Sequence, residues 1–287
     1  MGWVNYHNHT KYCDGTSEID DYVIEALRLN MKALGFSGHA PVTWKTTWNM
    51  TGENLERYLA DVARAKERFQ NEIEIYRGLE IDYVPGMTYH SSWFKNRGVD
   101  FLIASIHFTG VFADGIPCEM DGPHALFLRG VNEIFGGDTR ALVEYYFHLT
   151  RRMIDTLDFD IIGHFDKIKI QNTPETPFSE NDPWYRNEIL LTLEKIRQKG
   201  IIVEINTRGL YKGASRQTYP SRWIWEVMRE IKIPIMLSAD SHAPAELNGC
   251  YPEIAQELYD AGFREFRVLC RGEWRDVPFT PGGIEWT

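Results

Sequence analysis

The chain has 287 residues, 43% apolar and 25% charged, enough to bury one sizeable core. Its 31 basic and 41 acidic side chains leave a formal net charge of −10, which argues against nucleic acid as a partner, since no basic field exists to displace condensed counterions. No run reaches the ~18 apolar residues of a membrane span. The four cysteines (Cys13, Cys118, Cys250, Cys270) show no Cys-x-x-Cys spacing, and no secretory leader is recognisable, so a cytoplasmic protein that avoids membranes is expected.

A strand–helix rhythm runs nearly end to end, without a short-period repeat or linker, and one domain over 1–287 is expected. An apolar strand over 3–9 carries His7 and His9, and Asp14 follows it. A helix starts near Ser17, a plausible N-cap with Asp20 as its acidic partner. A second strand over 33–37 leads to His39, and a helix over 53–69 precedes a third strand over 73–81 with Glu80 near its end. The fourth strand, 100–106, ends at His107. Residues 112–137 read as a long loop-like insertion holding Asp114, Glu119, Asp121 and Glu133. A helix over 140–157 leads to a fifth strand, 159–163, ending at His164. A helix over 183–199 precedes the sixth strand, 201–205, at whose end stand Glu204 and Asn206. A helix over 221–231 leads to the seventh strand, 234–239, followed by Asp240 and His242. A helix over 251–261 and a short strand over 264–269 complete the chain.

Seven buried-looking strands alternating with helices favour a parallel α/β sheet, open or closed. The ionisable residues decide between the two. His9, His39, Glu80, His107, His164 and Asp240 each stand at the C-terminal end of a different strand. An open sheet would string them out in a line, whereas a closed barrel gathers them into a ring at the face where barrels carry their active sites. A distorted seven-stranded, TIM-like (β/α)7 barrel is therefore expected.

Six of the nine histidines (His7, His9, His39, His107, His164, His242) fall at strand ends. His90 and His124 read as surface loop residues, and His148 as a packed helix residue. His7 and His9 are two apart on a strand and so face the same side, a spacing that Asp240 and His242 repeat. Imidazole nitrogen with carboxylate oxygen suits zinc, iron or manganese better than calcium or magnesium. His7, His9, Asp14, His39, Glu80, His107, His164, Asp240 and His242 are too many donors for one ion and suit two or three. Glu80, in the middle of the ring, is the natural bridge. Cys13, beside Asp14, is a weaker candidate.

These segments resemble the polymerase-and-histidinol-phosphatase (PHP) superfamily: His7-Asn8-His9-Thr10 with Asp14, GFSGHAP at 35–41, GLEIDY at 78–83, SIHF at 105–108, DIIGHFD at 160–166, EINTRGL at 204–210 and SADSHAP at 238–244. Within the superfamily GLEIDY, DIIGHFDKIK and EINTRGL look most like histidinol phosphatases. The resemblance implies a distorted (β/α)7 barrel, the PHP fold, with three divalent ions (zinc, iron or manganese). It implies one ion on His7, His9, Glu80 and Asp240, a second on Glu80, His107 and His164, and a third on Asp14, His39 and His242. Two positions depart from the pattern: Gly38 stands where relatives carry an acid before His39, and Tyr211, beside Lys212, where they often carry arginine. Amidohydrolases share the first-strand His-x-His but want a lysine where this chain has His107.

The expected reaction is hydrolysis of a small-molecule phosphate monoester, L-histidinol phosphate before any nucleotide or sugar phosphate, by in-line attack of a hydroxide bridging two metals. Three divalent ions outweigh three carboxylates and a hydroxide, so an acidic protein can still attract a dianion. The residues expected at the chemistry are Glu80, Asp240 and His242. Arg208 and Lys169 are expected to grip phosphate, with Arg216 and Lys212 as weaker candidates. The acids of 112–137 would suit a cationic amine.

Overall fold

The computed structural model describes residues 1–44, 46–172 and 175–286. In chain order the elements are β1 (Val4–Asn5), α1 (Ile19–Arg28), β2 (Ala33–Phe36), α2 (Gly52–Arg68), β3 (Glu74–Asp82), α3 (Ser91–Lys95) and β4 (Phe101–Ser105). A hairpin of β5 (Phe108–Val111) and β6 (Pro117–Glu119) then precedes α4 (His124–Glu133), α5 (Thr139–Thr156) and β7 (Ile161–Ile162). The last third runs through a 3-10 turn (Lys167–Asn172), α6 (Pro183–Lys199), β8 (Ile202–Asn206), α7 (Arg208–Tyr211), α8 (Arg222–Glu230), β9 (Ile235–Ser238) and α9 (Tyr251–Asp260). It ends in β10 (Glu265–Cys270), β11 (Glu273–Thr280) and β12 (Gly283–Ile284).

Seven strands form one sheet in the order β1-β2-β3-β4-β7-β8-β9, every neighbouring pair parallel. The first and last strands approach again just past their ends, where Asn8 pairs with Ser241 in parallel. His9 N donates to Ser241 O at 2.8 Å and Ser241 N to His7 O at 3.0 Å. The sheet is thus a nearly closed seven-stranded barrel. Its strands are buried along their length, as in β4 (FLIAS), β8 (IVEIN) and β9 (IMLS). Such near-continuous apolar runs are what strands covered on both faces require. Helices supply the outer cover, each burying one stripe: Leu55, Tyr58, Leu59, Val62 and Ala65 on α2, and Ile224, Trp225 and Met228 on α8.

The opposite, N-terminal end of the barrel is stoppered by aromatic rings. Phe101, the first residue of β4, lies where a side chain at Gly78 would be: a Cβ there would stand 2.2 Å from the ring. Its ring meets Tyr6 at 5.9 Å and Trp274 of β11 at 6.4 Å, both edge-on. The antiparallel pair β10–β11 closes over them, with Tyr6 Oη donating to Leu269 O at 2.8 Å and accepting from Leu269 N at 3.1 Å.

Several expectations need correction. The first helix begins one residue later than expected, at a capping box of Glu18 and Asp21 rather than Ser17 and Asp20. Residues 112–137 are not loop-like: they hold β6 and α4, whose short, Pro-led strand gives no alternation to read. His148 is exposed on α5 rather than packed. His90 is exposed at the N-cap of α3, as expected of a surface residue, whereas His124 opens α4, half-buried against Gln171 at 2.9 Å. The tail continues beyond β10 through β11 and β12.

Candidate metal centre

Five of the seven barrel strands deliver a donor just beyond their C-terminal ends, and β3 and β8 each place a glutamate two residues inside theirs. His7 and His9 follow β1. His39 follows β2 and bridges in parallel to Glu80, itself set by pairing of β3 with Ile103 of β4. His107 follows β4, and His164 follows β7. Asp240 and His242 follow β9. β8 supplies Glu204 from within the strand. Asp14 comes from the first loop, which is sewn to the last strand end by Thr16 N donating to His242 O at 2.9 Å. Asp240 holds φ 50, a left-handed backbone uncommon outside glycine but tolerated by aspartate, and this turn ends the strand at the site.

Glu80 lies at the centre. Its Oε2 is 3.2 Å from His7 Nε2, 3.4 Å from His9 Nε2 and 3.2 Å from His39 Nδ1. Its Oε1 is 3.2 Å from His164 Nε2, 3.9 Å from His107 Nε2 and 2.6 Å from Ser105 Oγ. One carboxylate therefore faces two sets of imidazoles with its two oxygens. Asp240 Oδ1 stands 3.7 Å from His7 Nε2 and 3.4 Å from His9 Nε2. Asp14 Oδ1 is 3.2 Å from His9 Nδ1, and its Oδ2 is 3.0 Å from His242 Nε2 and 3.9 Å from His39 Nε2.

These spacings fit divalent metal ions. Two ligands each roughly 2.0–2.2 Å from one tetrahedral ion stand roughly 3.3–3.6 Å apart. Four groups have donor atoms all within 4.8 Å of one another: His9 with Asp14, His39 and His242; His7 with His9 and Asp240; Glu80 with His107 and His164; and His39 with Asp82 and His107. His9 Nε2 is buried without a hydrogen bond and lies 3.4 Å from both Glu80 and Asp240, as a ligand atom would. All nine donors expected from the sequence are brought together, and His9 joins two groups rather than one.

Two buried carboxylates behind these donors escaped the sequence reading. Asp82 Oδ1 is 2.5 Å from His107 Nδ1, and its Oδ2 is 3.3 Å from His39 Nδ1. Glu204 Oε2 is 2.8 Å from His7 Nδ1, and its Oε1 accepts from the backbone N–H of His164 at 2.7 Å. On His7 and His107 this leaves Nε2 turned to the centre, the partnership that fixes tautomer and ring orientation in metal sites, whereas His39 turns Nδ1 to Glu80. Asp82 lies two residues beyond Glu80, the same spacing as His7 and His9, so the strand period itself is the signal that could have found it. At Gly38, an added Cβ would stand 2.9 Å from Cys13 Sγ. Cys13 keeps to the edge, with Sγ 3.7 Å from His9 Nδ1.

The packing of so many ionisable groups moves their pKa values. Burial disfavours charge on His7, yet Glu204, Asp240 and Glu80 outweigh it and push the imidazole up to about 10. Burial likewise opposes charge on His107, and Asp121, Asp82 and Glu80 push it up to about 9. Burial and then His9 press His242 down to about 4. Glu80 and Asp240 resist burial and stay well below the usual carboxylate range because imidazoles surround them.

The donors open onto a cavity of about 310 Å³, also lined by Trp48, Glu119, Asp121, Lys167, Ile170 and Arg208. Arg208 reaches it as expected, anchored by Nη1 donating to Asp240 O at 2.8 Å. Lys169 does not. It is buried, with Nζ bonded to Asp166 at 2.7 Å, to Thr218 O at 2.7 Å and to Ser221 Oγ, so its donors are spent on holding two loops together. Lys167, two residues earlier on the same 3-10 turn, faces the cavity instead, 2.9 Å from Asp121. Lys212 pairs with Glu246, and Arg216 does not line the cavity. Of the acids in 112–137, Glu119 and Asp121 reach the cavity, whereas Asp114 and Glu133 pair with Arg129.

Among curated relatives, the "probable histidinol-phosphatase" of Deinococcus radiodurans is 27% identical over 269 residues, covering 92% of this chain and 95% of its own. The histidinol-phosphatase of Bacillus subtilis is 23% identical, over 85% of this chain and 95% of its own. A solved Lactococcus lactis histidinol phosphate phosphatase, complexed with zinc, L-histidinol and phosphate, superposes with a TM-score of 0.68 at 19% identity, covering 99% of each chain. That superposition speaks to the fold alone. The PHP domain model matches residues 5–208, the greater part of the sequence and all the donors up to His164, and on that match this chain belongs to the PHP domain family.

Proposed function

We propose that the chain is a metal-dependent phosphomonoesterase that hydrolyses L-histidinol phosphate to L-histidinol and phosphate. One observation carries the reading: nine imidazole and carboxylate donors, Glu80 at their centre, converge at a cavity that also presents Arg208 and Lys167. The names of relatives that align over nearly the whole chain support the choice of ester.

His7, His9, Glu80 and Asp240 would hold one ion, Glu80, His107 and His164 a second, and Asp14, His39 and His242 a third, with His9 within reach of the last. Ions so held supply Lewis acidity to phosphoryl oxygens and acidify water at neutral pH. Glu80, whose two oxygens face different imidazoles, would reach both of the first two ions. Glu204 and Asp82 hold His7 and His107 with Nε2 inward, so these donors are in place before substrate arrives. Arg208, pinned by the Asp240 carbonyl, would turn its remaining N–H donors to the phosphate, and Lys167 adds a second cation to the cavity lining.

Residues 1–287 act as one domain in this reading, because β9, which completes the barrel and precedes Asp240 and His242, lies past the matched segment. A cytoplasmic setting accords with four free thiols. No helix among the described residues is long and apolar enough to cross a membrane.

The test is phosphate release by protein reconstituted with zinc, iron or manganese, comparing L-histidinol phosphate with a panel of nucleotide, sugar and aryl phosphates. The highest kcat/KM is expected for L-histidinol phosphate. Parity with a generic aryl phosphate would remove the substrate assignment.

A further inference from the structure

One side of the cavity is not occupied by metal donors. It is formed by Trp48 and by Glu119, the last residue of β6. The Trp48 indole lies flat on Phe108, with ring centroids 5.4 Å apart and planes 5° apart. It stands edge-on to His39 at 4.4 Å and to His107 at 5.5 Å. Its Nε1 donates to Glu119 Oε1 at 3.4 Å. The indole thus stands between the carboxylate and the imidazoles, and among the described residues no hydrogen-bond donor meets the second oxygen of Glu119.

The neighbouring acids are committed elsewhere. Asp121 is held by Lys167 at 2.9 Å, Asp114 by Arg129 at 2.7 Å, and Glu133 by Arg129 at 2.9 Å. The cavity thus presents two cations, Arg208 and Lys167, and the ion-holding donors, together with one carboxylate beside an aromatic wall. A lining of both signs matches a zwitterionic ester whose ammonium stands a few bonds from its phosphate.

We propose that Glu119, positioned by Trp48, binds the cationic end of the ester and sets a preference for amine-bearing phosphomonoesters. The inference rests on the reading that the phosphate goes to the metal centre, and it assigns the other end of the substrate. Trp48 is a positioning residue: it orients the carboxylate and keeps it from turning into solvent.

The experiment compares wild type with Glu119→Gln and Trp48→Phe on two esters of the same size, O-phosphoethanolamine and 2-hydroxyethyl phosphate, alongside L-histidinol phosphate. The readout is the ratio of kcat/KM for the ammonium ester over the hydroxyl ester. Glu119→Gln should lower this ratio roughly 10- to 100-fold, the scale of one hydrogen bond to a charged partner, with the change mainly in KM. Trp48→Phe should lower it less, in the same direction. A ratio unmoved by Glu119→Gln overturns the inference, as does an equal loss on both esters. The substrate reading fails separately, if the wild type shows no preference for L-histidinol phosphate, because the matched pair still reports on Glu119.

Discussion

The two ends of the barrel are built from the same strands and solve opposite problems. At the N-terminal end Tyr6, Phe101 and Trp274 close the interior with rings, and β10–β11 cover them. At the C-terminal end the same strands present imidazoles and carboxylates, nearly all buried, and gather charge that an apolar interior would reject. Tyr6 and His7 are adjacent in sequence, yet one belongs to the stopper and the other to the donor ring. Shape is secured at the closed end, so the open end can carry unsatisfied polar atoms such as His9 Nε2.

This division can be broken from either side. Phe101→Ala empties the stopper and should cost about 3–5 kcal/mol of stability, read by chemical denaturation, while the number of ions bound per chain stays at the wild-type value. A loss of ions in proportion to stability would mean the two ends are not separable.

A smaller effect is expected at the other end. Asp82→Asn takes the negative charge from the carboxylate shared by His107 and His39 and should weaken metal retention roughly 10- to 100-fold, measured by competition with a chelator. The midpoint of denaturation of the metal-free protein should move far less than in Phe101→Ala. Unchanged metal retention would mean that Asp82 has no part in orienting the two rings.

The smallest signal is a count of protons. In the metal-free protein His7 and His107 titrate near 10 and 9, above the ordinary value of about 6.5. Their protonation therefore stabilises the metal-free fold fully below pH about 6.5, and that stabilisation is lost as pH rises through 9 to 10. Ions require neutral imidazoles, and neighbouring carboxylates outweigh burial on His9 and His39 as well, so loading at pH 8 should release at least two protons, read by calorimetry in two buffers of different ionisation heat. Identical heats in both buffers would contradict the assignment.

Much of this was legible beforehand because barrel strands are apolar runs ended by conspicuous polar residues. Each of the seven strands was found to within a few residues. Placing a donor at each end also told a closed barrel from an open sheet. Less was legible where the backbone departs from these periods. Lys167 and Lys169 sit on one 3-10 turn, and spacing alone does not say which faces the cavity; the answer lies in Asp166 and Ser221, distant partners that claim Lys169. Asp82 and Glu204 were visible as residues within the quoted segments, but their role depends on which imidazole each meets. The hairpin carrying Glu119 is too short to show alternation.

The pairing of Asn8 with Ser241 has a consequence for how the molecule holds itself shut. It is the seam of the cylinder, a single bridge between the earliest and latest strands, and His7 and His9 flank it on one side as Asp240 and His242 do on the other. A cation shared by His9 and Asp240 would therefore also be a rivet across that seam. Loading the centre and fastening the cylinder would then draw on the same few atoms, and the cylinder would be tightest at its open end with its ions aboard.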